Sequence, residues 1–170
     1  MLEIEVKIRI QNPQKTHEKL LSLGASLTKS RYFEENILYD FPEKNLTKKN
    51  QALRLRSVGK QNILTYKGAP QKSRKFKIRE EFETLVKDKK QTQKILSSLG
   101  FKQVFVYQKY RTEYRMKNLK ICLDETKAGK FLEFEGKRED ITAFTKKIGY
   151  SKDDFIKTDY ISLLKEMETR

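Results

Sequence analysis

The run from Leu2 to Ile10 alternates without a break. Leu2, Ile4, Val6, Ile8 and Ile10 share one face, and Glu3, Glu5, Lys7 and Arg9 share the other. A period of two predicts a β-strand that is apolar on one side only. The same parity returns along the chain. Arg54 and Arg56 stand opposite Leu53 and Leu55, and Arg79, Glu81 and Glu83 opposite Ile78 and Phe82. Lys109, Arg111, Glu113 and Arg115 stand opposite Tyr110, Tyr114 and Met116. Asp124 lies opposite Leu123, and Glu133 and Glu135 opposite Leu132 and Phe134. Two architectures satisfy this pattern. An open sheet backed by helices would leave the charged face in water. A sheet closed into a barrel would turn the apolar face outward against helices and line the bore with charge. About eight strands are enough to close, and closure removes exposed edges. The shortage of Ser, Thr, Asn and Gln on the charged face favours the barrel, where carboxylates and cations balance one another.

Strands are expected over 2–10, 33–41, 53–56, 63–67, 76–86, 104–116, 119–124 and 130–137. Asn12-Pro13 starts a helix over 14–23 with Leu20, Leu21 and Leu23 toward the core. Asp88 caps a second helix running to about Leu99, and two more follow at 140–148 and 153–167. Tyr160, Leu163 and Leu164 read as core contacts that close the barrel. Residues 42–50 form a polar loop. The basic loop 68–74 and the cluster Lys72-Ser73-Arg74-Lys75 read equally as a lid or as solvated charge. Three of the expected strands carry Glu-x-Glu, at Glu3/Glu5, Glu81/Glu83 and Glu133/Glu135. Each copy precedes a helix ending in Leu-Gly or Ile-Gly, at Gly24, Gly100 and Gly149. No linker interrupts the chain, so a single α+β domain over residues 1–170 is expected.

The net charge of +15 favours an anionic partner, whether nucleic acid, a phosphate compound or a membrane surface. No apolar run is long enough to span a membrane and no signal peptide precedes the first strand, so a cytoplasmic protein without a membrane partner is expected. His17 and Cys122 are the only residues of their kinds. That argues against most zinc sites, an internal disulfide, and Ser-His-Asp or Cys-His chemistry. Any metal is then a hard one on carboxylates, magnesium or manganese. Carboxylates two apart on a strand can grip such an ion, and cations further along can hold its anionic ligand. A solvated face of mixed charge is the plainer reading of the same residues.

The ordered series Glu3-x-Glu5-x-Lys7, Leu53-Arg54-Leu55-Arg56, Leu64-Thr65-Tyr66-Lys67-Gly68, Arg79-x-Glu81-x-Glu83, Lys109-x-Arg111, Asp124 and Glu133-Phe134-Glu135-Gly136 resembles the CYTH superfamily, the triphosphate tunnel metalloenzymes. The compact length and simple opening motif look most like its class IV adenylate cyclase branch, related to thiamine triphosphatase. The resemblance implies an eight-stranded antiparallel β-barrel tunnel with helices outside. It implies metal ligation by Glu3, Glu5, Asp124, Glu133 and Glu135, with Glu81 and Glu83 as carboxylates for the outer shell or a second metal. It assigns triphosphate contacts to Lys7, Arg54, Arg56, Lys67, Arg79, Lys109 and Arg111. Lys67, crowded by other cations, is a candidate general base, with Tyr39 as its companion; Tyr39 reads equally as a core aromatic. The implied cofactor is magnesium or manganese. The implied substrate is a small-molecule triphosphate: ATP, tripolyphosphate or thiamine triphosphate. Cyclisation of ATP and hydrolysis of a triphosphate need the same clamp, so both stay open, as does a homodimer. A non-catalytic RNA- or polyphosphate-binding module is the rival class.

Overall fold

A computed structural model describes residues 2–158 and 162–163. Its strands are β1 (Leu2–Ile10), β2 (Ser26–Asp40), β3 (Ala52–Val58), β4 (Gln61–Lys67), β5 (Lys77–Val86), β6 (Lys102–Met116), β7 (Leu119–Thr126) and β8 (Gly129–Glu135). The helices are α1 (Pro13–Ser22), α2 (Asn45–Lys48), α3 (Lys89–Ser98) and α4 (Arg138–Lys147). The strands follow the order β1-β5-β4-β3-β2-β6-β7-β8 and close into a barrel. The pairs β1–β8, β2–β3, β3–β4, β4–β5, β6–β7 and β7–β8 are antiparallel. The expected α+β fold with a closed, eight-stranded antiparallel barrel is therefore present.

Local chemistry sets the helix ends. The Asn12 side chain accepts from the Lys15 amide, with Pro13 in the first turn, and the Asp88 side chain accepts from the Gln91 amide. Gly24, Gly100 and Gly149 end α1, α3 and α4 with φ of 88°, 92° and 96°. In each, the next amide reaches back into the helix, from Ala25 to Leu20, Phe101 to Leu96 and Tyr150 to Thr145. This is the left-handed stop that glycine alone adopts cheaply, and it explains the repeated Leu-Gly and Ile-Gly phrases.

The chain divides into two compact units. The first contains 33–71 and 79–108. Its core joins Ile37, Tyr39, Leu55 and Leu96, the last from α3. The second contains 3–32, 72–78 and the chain from 109 onward. Its core joins Val6, Ile8 and Ile10 of β1 and Phe134 of β8 to Leu20 of α1 and Ile141 and Phe144 of α4. In both, helices occupy the apolar face of the strands. The residues of opposite parity therefore lie on the face that a closed barrel turns inward.

Several expectations are corrected. β2 begins at Ser26, seven residues before Phe33. Its first six residues are exposed, so pairing there leaves no burial pattern in the sequence. The polar loop holds α2, organised by Asp40, whose carboxylate accepts from the amides of Phe41, Leu46 and Thr47 and from the Thr47 hydroxyl. Of the leucines on α1, Leu20 is buried but Leu21 is exposed. The last helix does not start at Asp153. Lys152–Asp154 make one 3-10 turn, after which Ile156 pairs with Lys7 through hydrogen bonds of 2.8 and 3.1 Å. Leu163 is buried as expected; Tyr160 and Leu164 lie outside the described residues. Among the described residues no helix is long and apolar enough to cross a membrane.

Candidate active site

In the first unit, register brings the charged residues into rows. Directly paired residues share a face, so Leu38, Arg54, Thr65 and Glu83 form one row. Asn36, Arg56, Ile63 and Leu85 form the next, and Ala52, Lys67 and Glu81 form a third row on the same face. Arg54 Nη2 donates to Thr65 Oγ1 at 3.3 Å, and that hydroxyl donates to Glu83 Oε2 at 3.0 Å. The same guanidinium lies 3.7 Å from Glu81 Oε1 and 3.9 Å from Glu83 Oε2. Lys67 Nζ donates to Glu81. Arg56 Nε lies 4.0 Å from Glu34 Oε1, which also accepts from Asn36 Nδ2 at 3.2 Å. Burial works against the charge on Arg54, but Tyr107, Glu81 and Glu34 more than offset it and hold the guanidinium above the usual arginine range. The Nε atoms of Arg54, Arg56 and Arg79 are buried and without a hydrogen-bond partner. An unmet buried donor costs about 1–3 kcal/mol, and more when charged. Three on one inner face describe a surface arranged for an anion with several oxygens.

In the second unit the ion pairs form a chain. Lys7 Nζ lies 3.3 Å from Glu5 and 3.2 Å from Glu133, and Lys77 Nζ lies 3.9 Å from Glu5. Arg111 grips Asp124 with both prongs, Nε to Oδ1 and Nη2 to Oδ2, each at 2.6 Å. Its Nη2 also reaches Glu133 at 2.9 Å, and Lys109 Nζ donates to Asp124 Oδ2 at 2.9 Å. Burial alone would raise the Asp124 carboxyl, but Arg111 and Lys109 hold it below the ordinary range. Burial opposes the Lys7 ammonium, and Glu5 and Glu133 together raise it above the usual lysine range. Cys122 shares this face, paired in register with Glu133 and Glu113. Burial pushes its thiol up to about 12, despite the opposing pull of Arg111, so it is no nucleophile.

The expected residues therefore fall into two groups. Lys7, Glu5, Lys109, Arg111, Asp124 and Glu133 are joined by ion pairs in the second unit. Arg54, Lys67, Glu81 and Glu83 are joined in the first, with Arg56 and Arg79 on the same inner face. Glu3 is half-buried one step up β1, and Glu135 lies at 3.3 Å from Lys120. Tyr39 is not with them. It is buried on the helix-covered face with Ile37, Leu55 and Leu96, and its hydroxyl accepts from Gln93 and Gln103. Tyr39 shares the parity of Ile37, opposite to Asn36 and Leu38, so it is a core aromatic and not a companion of Lys67. The motive for Lys67 as a base also changes, because its amine donates to the Glu81 carboxylate. Residues that the sequence reading passed over join both groups. Lys77 has the parity of Arg79 and is buried. Glu34 and Asn36 alternate with Ile37 and Tyr39, a signal that was present but masked by the apolar Leu38 on the same face. Tyr107 reaches Arg54 from β6.

Among the described residues no three acidic, histidine or cysteine side chains gather as a ready-made metal cage. The carboxylates are instead engaged by ammonium and guanidinium groups. That donor set still fits a hard cation of the magnesium type. Such an ion commonly takes one or two protein carboxylates and completes its shell with water and substrate phosphate. Glu5, Asp124 and Glu133 are the oxygens available for it, and a polyanion would take over the cations they release.

The CYTH domain family model matches residues 1–159. A protein of Methanocaldococcus jannaschii named "putative adenylate cyclase" is 31% identical, over 96% of this chain and 98% of its own. A solved protein of Pyrococcus horikoshii is similar with a TM-score of 0.81 at 29% identity, covering 99% of both chains. A Vibrio parahaemolyticus structure, also named "putative adenylate cyclase", superposes with a TM-score of 0.86 at 21% identity, over 97% of this chain and 98% of its own. A Hippeastrum protein described as having a dominant triphosphatase activity shares the fold, with a TM-score of 0.72 at 18% identity over 97% and 96%. The ordered charged motifs, the closed barrel that carries them and the family match over nearly the whole length agree: this chain belongs to the CYTH domain family.

Proposed function

We propose that this protein is a divalent-metal-dependent enzyme that binds a triphosphate against the inward-facing cations of its barrel strands and converts ATP to cyclic AMP and pyrophosphate. The observation that carries the reading is the set of buried, unmatched Nε donors on Arg54, Arg56 and Arg79. Guanidinium forks suit phosphate oxygens, and a polyphosphate supplies enough of them to satisfy several arginines at once. The full-length similarity to the Methanocaldococcus jannaschii protein named "putative adenylate cyclase" supports the choice of reaction. In that reaction the ribose 3′-oxygen forms a bond to the α-phosphorus, loses its proton, and the bond from that phosphorus to pyrophosphate breaks. Catalysis of this kind rests on positioning and on stabilising charge that grows on the departing pyrophosphate. Fixed guanidinium groups supply both. A bound metal would add charge neutralisation on the phosphates, held by carboxylates among Glu5, Asp124 and Glu133.

The test is a screen of ATP, tripolyphosphate and thiamine triphosphate with magnesium or manganese, with the products identified. Cyclic AMP and pyrophosphate from ATP, lost on chelation, are expected. Orthophosphate from any of the three would replace cyclisation by hydrolysis on the same clamp. No consumption of any triphosphate, or turnover untouched by exhaustive chelation, would overturn the reading.

A further inference from the structure

Asn36 is fully buried on the same inner face as the arginines, and its direct register partner is Arg56. Its Nδ2 donates to Glu34 Oε1 at 3.2 Å. That contact fixes the amide, because the flipped form would set two oxygens against each other. The side-chain oxygen Oδ1 is thereby committed to point elsewhere, and it has no hydrogen-bond partner. The unmatched Nε donor of Arg56 lies 4.0 Å from the same Glu34 oxygen that holds the Asn36 amide. A buried acceptor and a buried donor on residues paired in register, both next to one carboxylate, call for a group that both donates and accepts. A phosphate oxygen cannot serve, since it only accepts and would face both Oδ1 and the Glu34 carboxylate. A hydroxyl can. The row continues from Arg56 through Ile63 to Leu85, both apolar, and Leu85 is 67% exposed. An inorganic triphosphate would have no use for that surface, whereas a carbon skeleton next to the hydroxyl would.

We infer that Asn36 reads the organic half of the substrate: its buried Oδ1 accepts a hydrogen bond from a sugar hydroxyl of a nucleoside triphosphate, beside the phosphate contacts of Arg54 and Arg56. This rests on the proposed function and adds a specificity residue that the charged motifs do not contain. Glu34 is the positioning residue that holds the amide, and Ile63 and Leu85 flank the sugar.

The experiment measures binding by calorimetry with calcium in place of the activating metal. Ligands are ATP, 2′-deoxy-ATP, 3′-deoxy-ATP and tripolyphosphate; proteins are wild type, Asn36→Ala and Asn36→Asp. Loss of one hydrogen bond of this kind predicts about a tenfold weaker complex. One of the two deoxynucleotides should bind wild type about that much more weakly than ATP. Asn36→Ala should lose the same factor for ATP, bind tripolyphosphate as wild type does, and no longer distinguish ATP from the deoxynucleotide. Asn36→Asp, which sets a second carboxylate against Glu34 and loses the contact that fixes the acceptor, should also fail to distinguish them. The wild-type comparison needs no variant, so a misfolded substitution cannot hide the result. Equal binding of all three nucleotides by wild type would mean that a water satisfies Asn36, and the inference falls while the triphosphate clamp stands. An equal loss of ATP and tripolyphosphate in Asn36→Ala would also overturn it. If wild type binds neither ATP nor tripolyphosphate, the proposed function itself fails.

Discussion

Replacing Asp124 with Asn tests the ion-pair chain at its most buried point. The carboxylate is fully buried and accepts three hydrogen bonds, two from Arg111 and one from Lys109. An amide has one oxygen, and its nitrogen would face cations. Removing one partner of a buried pair costs about 3–5 kcal/mol, because the other charge stays buried. Arg111 keeps Glu133 at 2.9 Å, which places the expected loss near the lower end. For a chain of this size each kcal/mol moves Tm by about 2–4 °C, so a fall of roughly 6–12 °C is expected. The pH dependence has a definite sign. A depressed folded-state pKa contributes stability above the unfolded value and loses it as pH falls through the folded one. The gap between wild type and Asp124→Asn should therefore be constant at neutral pH and close below about pH 4. Tripolyphosphate without metal should stabilise the variant more than wild type, since the anion can take up the released cations. Urea and thermal melts across pH, with and without tripolyphosphate, make the measurement. A loss under about 1 kcal/mol would mean that the pair is screened as surface pairs are. A gap that persisted unchanged into strong acid would refute the assignment to Asp124.

Four further outcomes follow from the same contacts. Arg56→Ala should weaken the triphosphate complex by about 2–5 kcal/mol, the range for truncating one side of a buried charged contact, measured by calorimetry. Lys67→Ala should weaken binding while leaving the single-turnover rate at saturating substrate nearly unchanged, because Glu81 holds the amine as a clamp; a collapse of that rate with intact affinity would restore the general base. Glu133→Gln should raise the metal concentration needed for half-maximal turnover, since an amide is a poorer ligand for a hard cation, and an unchanged metal titration would remove Glu133 from the metal set. Cys122 should resist iodoacetamide in the folded protein near neutral pH and react in denaturant; rapid labelling of native protein would contradict its buried thiol.

Period-two parity made the barrel legible, because every strand of a closed sheet must choose which side faces the helices. Val6 and Ile8 against Glu5 and Lys7 state that choice in four residues. The same rule reached Arg54, Arg56, Arg79, Lys109, Arg111 and Glu133 without knowledge of which strands are neighbours. It failed where burial and polarity part company. Ser26 to Arg31 pair without being buried, so nothing in them alternates. Leu38, Ile63 and Leu85 are apolar on the charged face, which blurred the strand that carries Glu34 and Asn36. Tyr39 was legible as outward from its parity with Ile37, and only the family resemblance suggested otherwise. Partner identity was beyond reach, since nothing in the sequence says that Glu81 holds Lys67 or that Asp124 bridges Lys109 and Arg111. Those contacts depend on register, and a shift of one residue would exchange every one of them.

The central claim is that the inward-facing arginines receive a triphosphate. A crystal structure of the protein with tripolyphosphate and manganese tests it most directly. The account predicts phosphate oxygens within hydrogen-bond distance of the Nε or terminal nitrogens of Arg54, Arg56 and Arg79. Phosphate bound only to lysines on the outer surface, with those three arginines untouched, would contradict it.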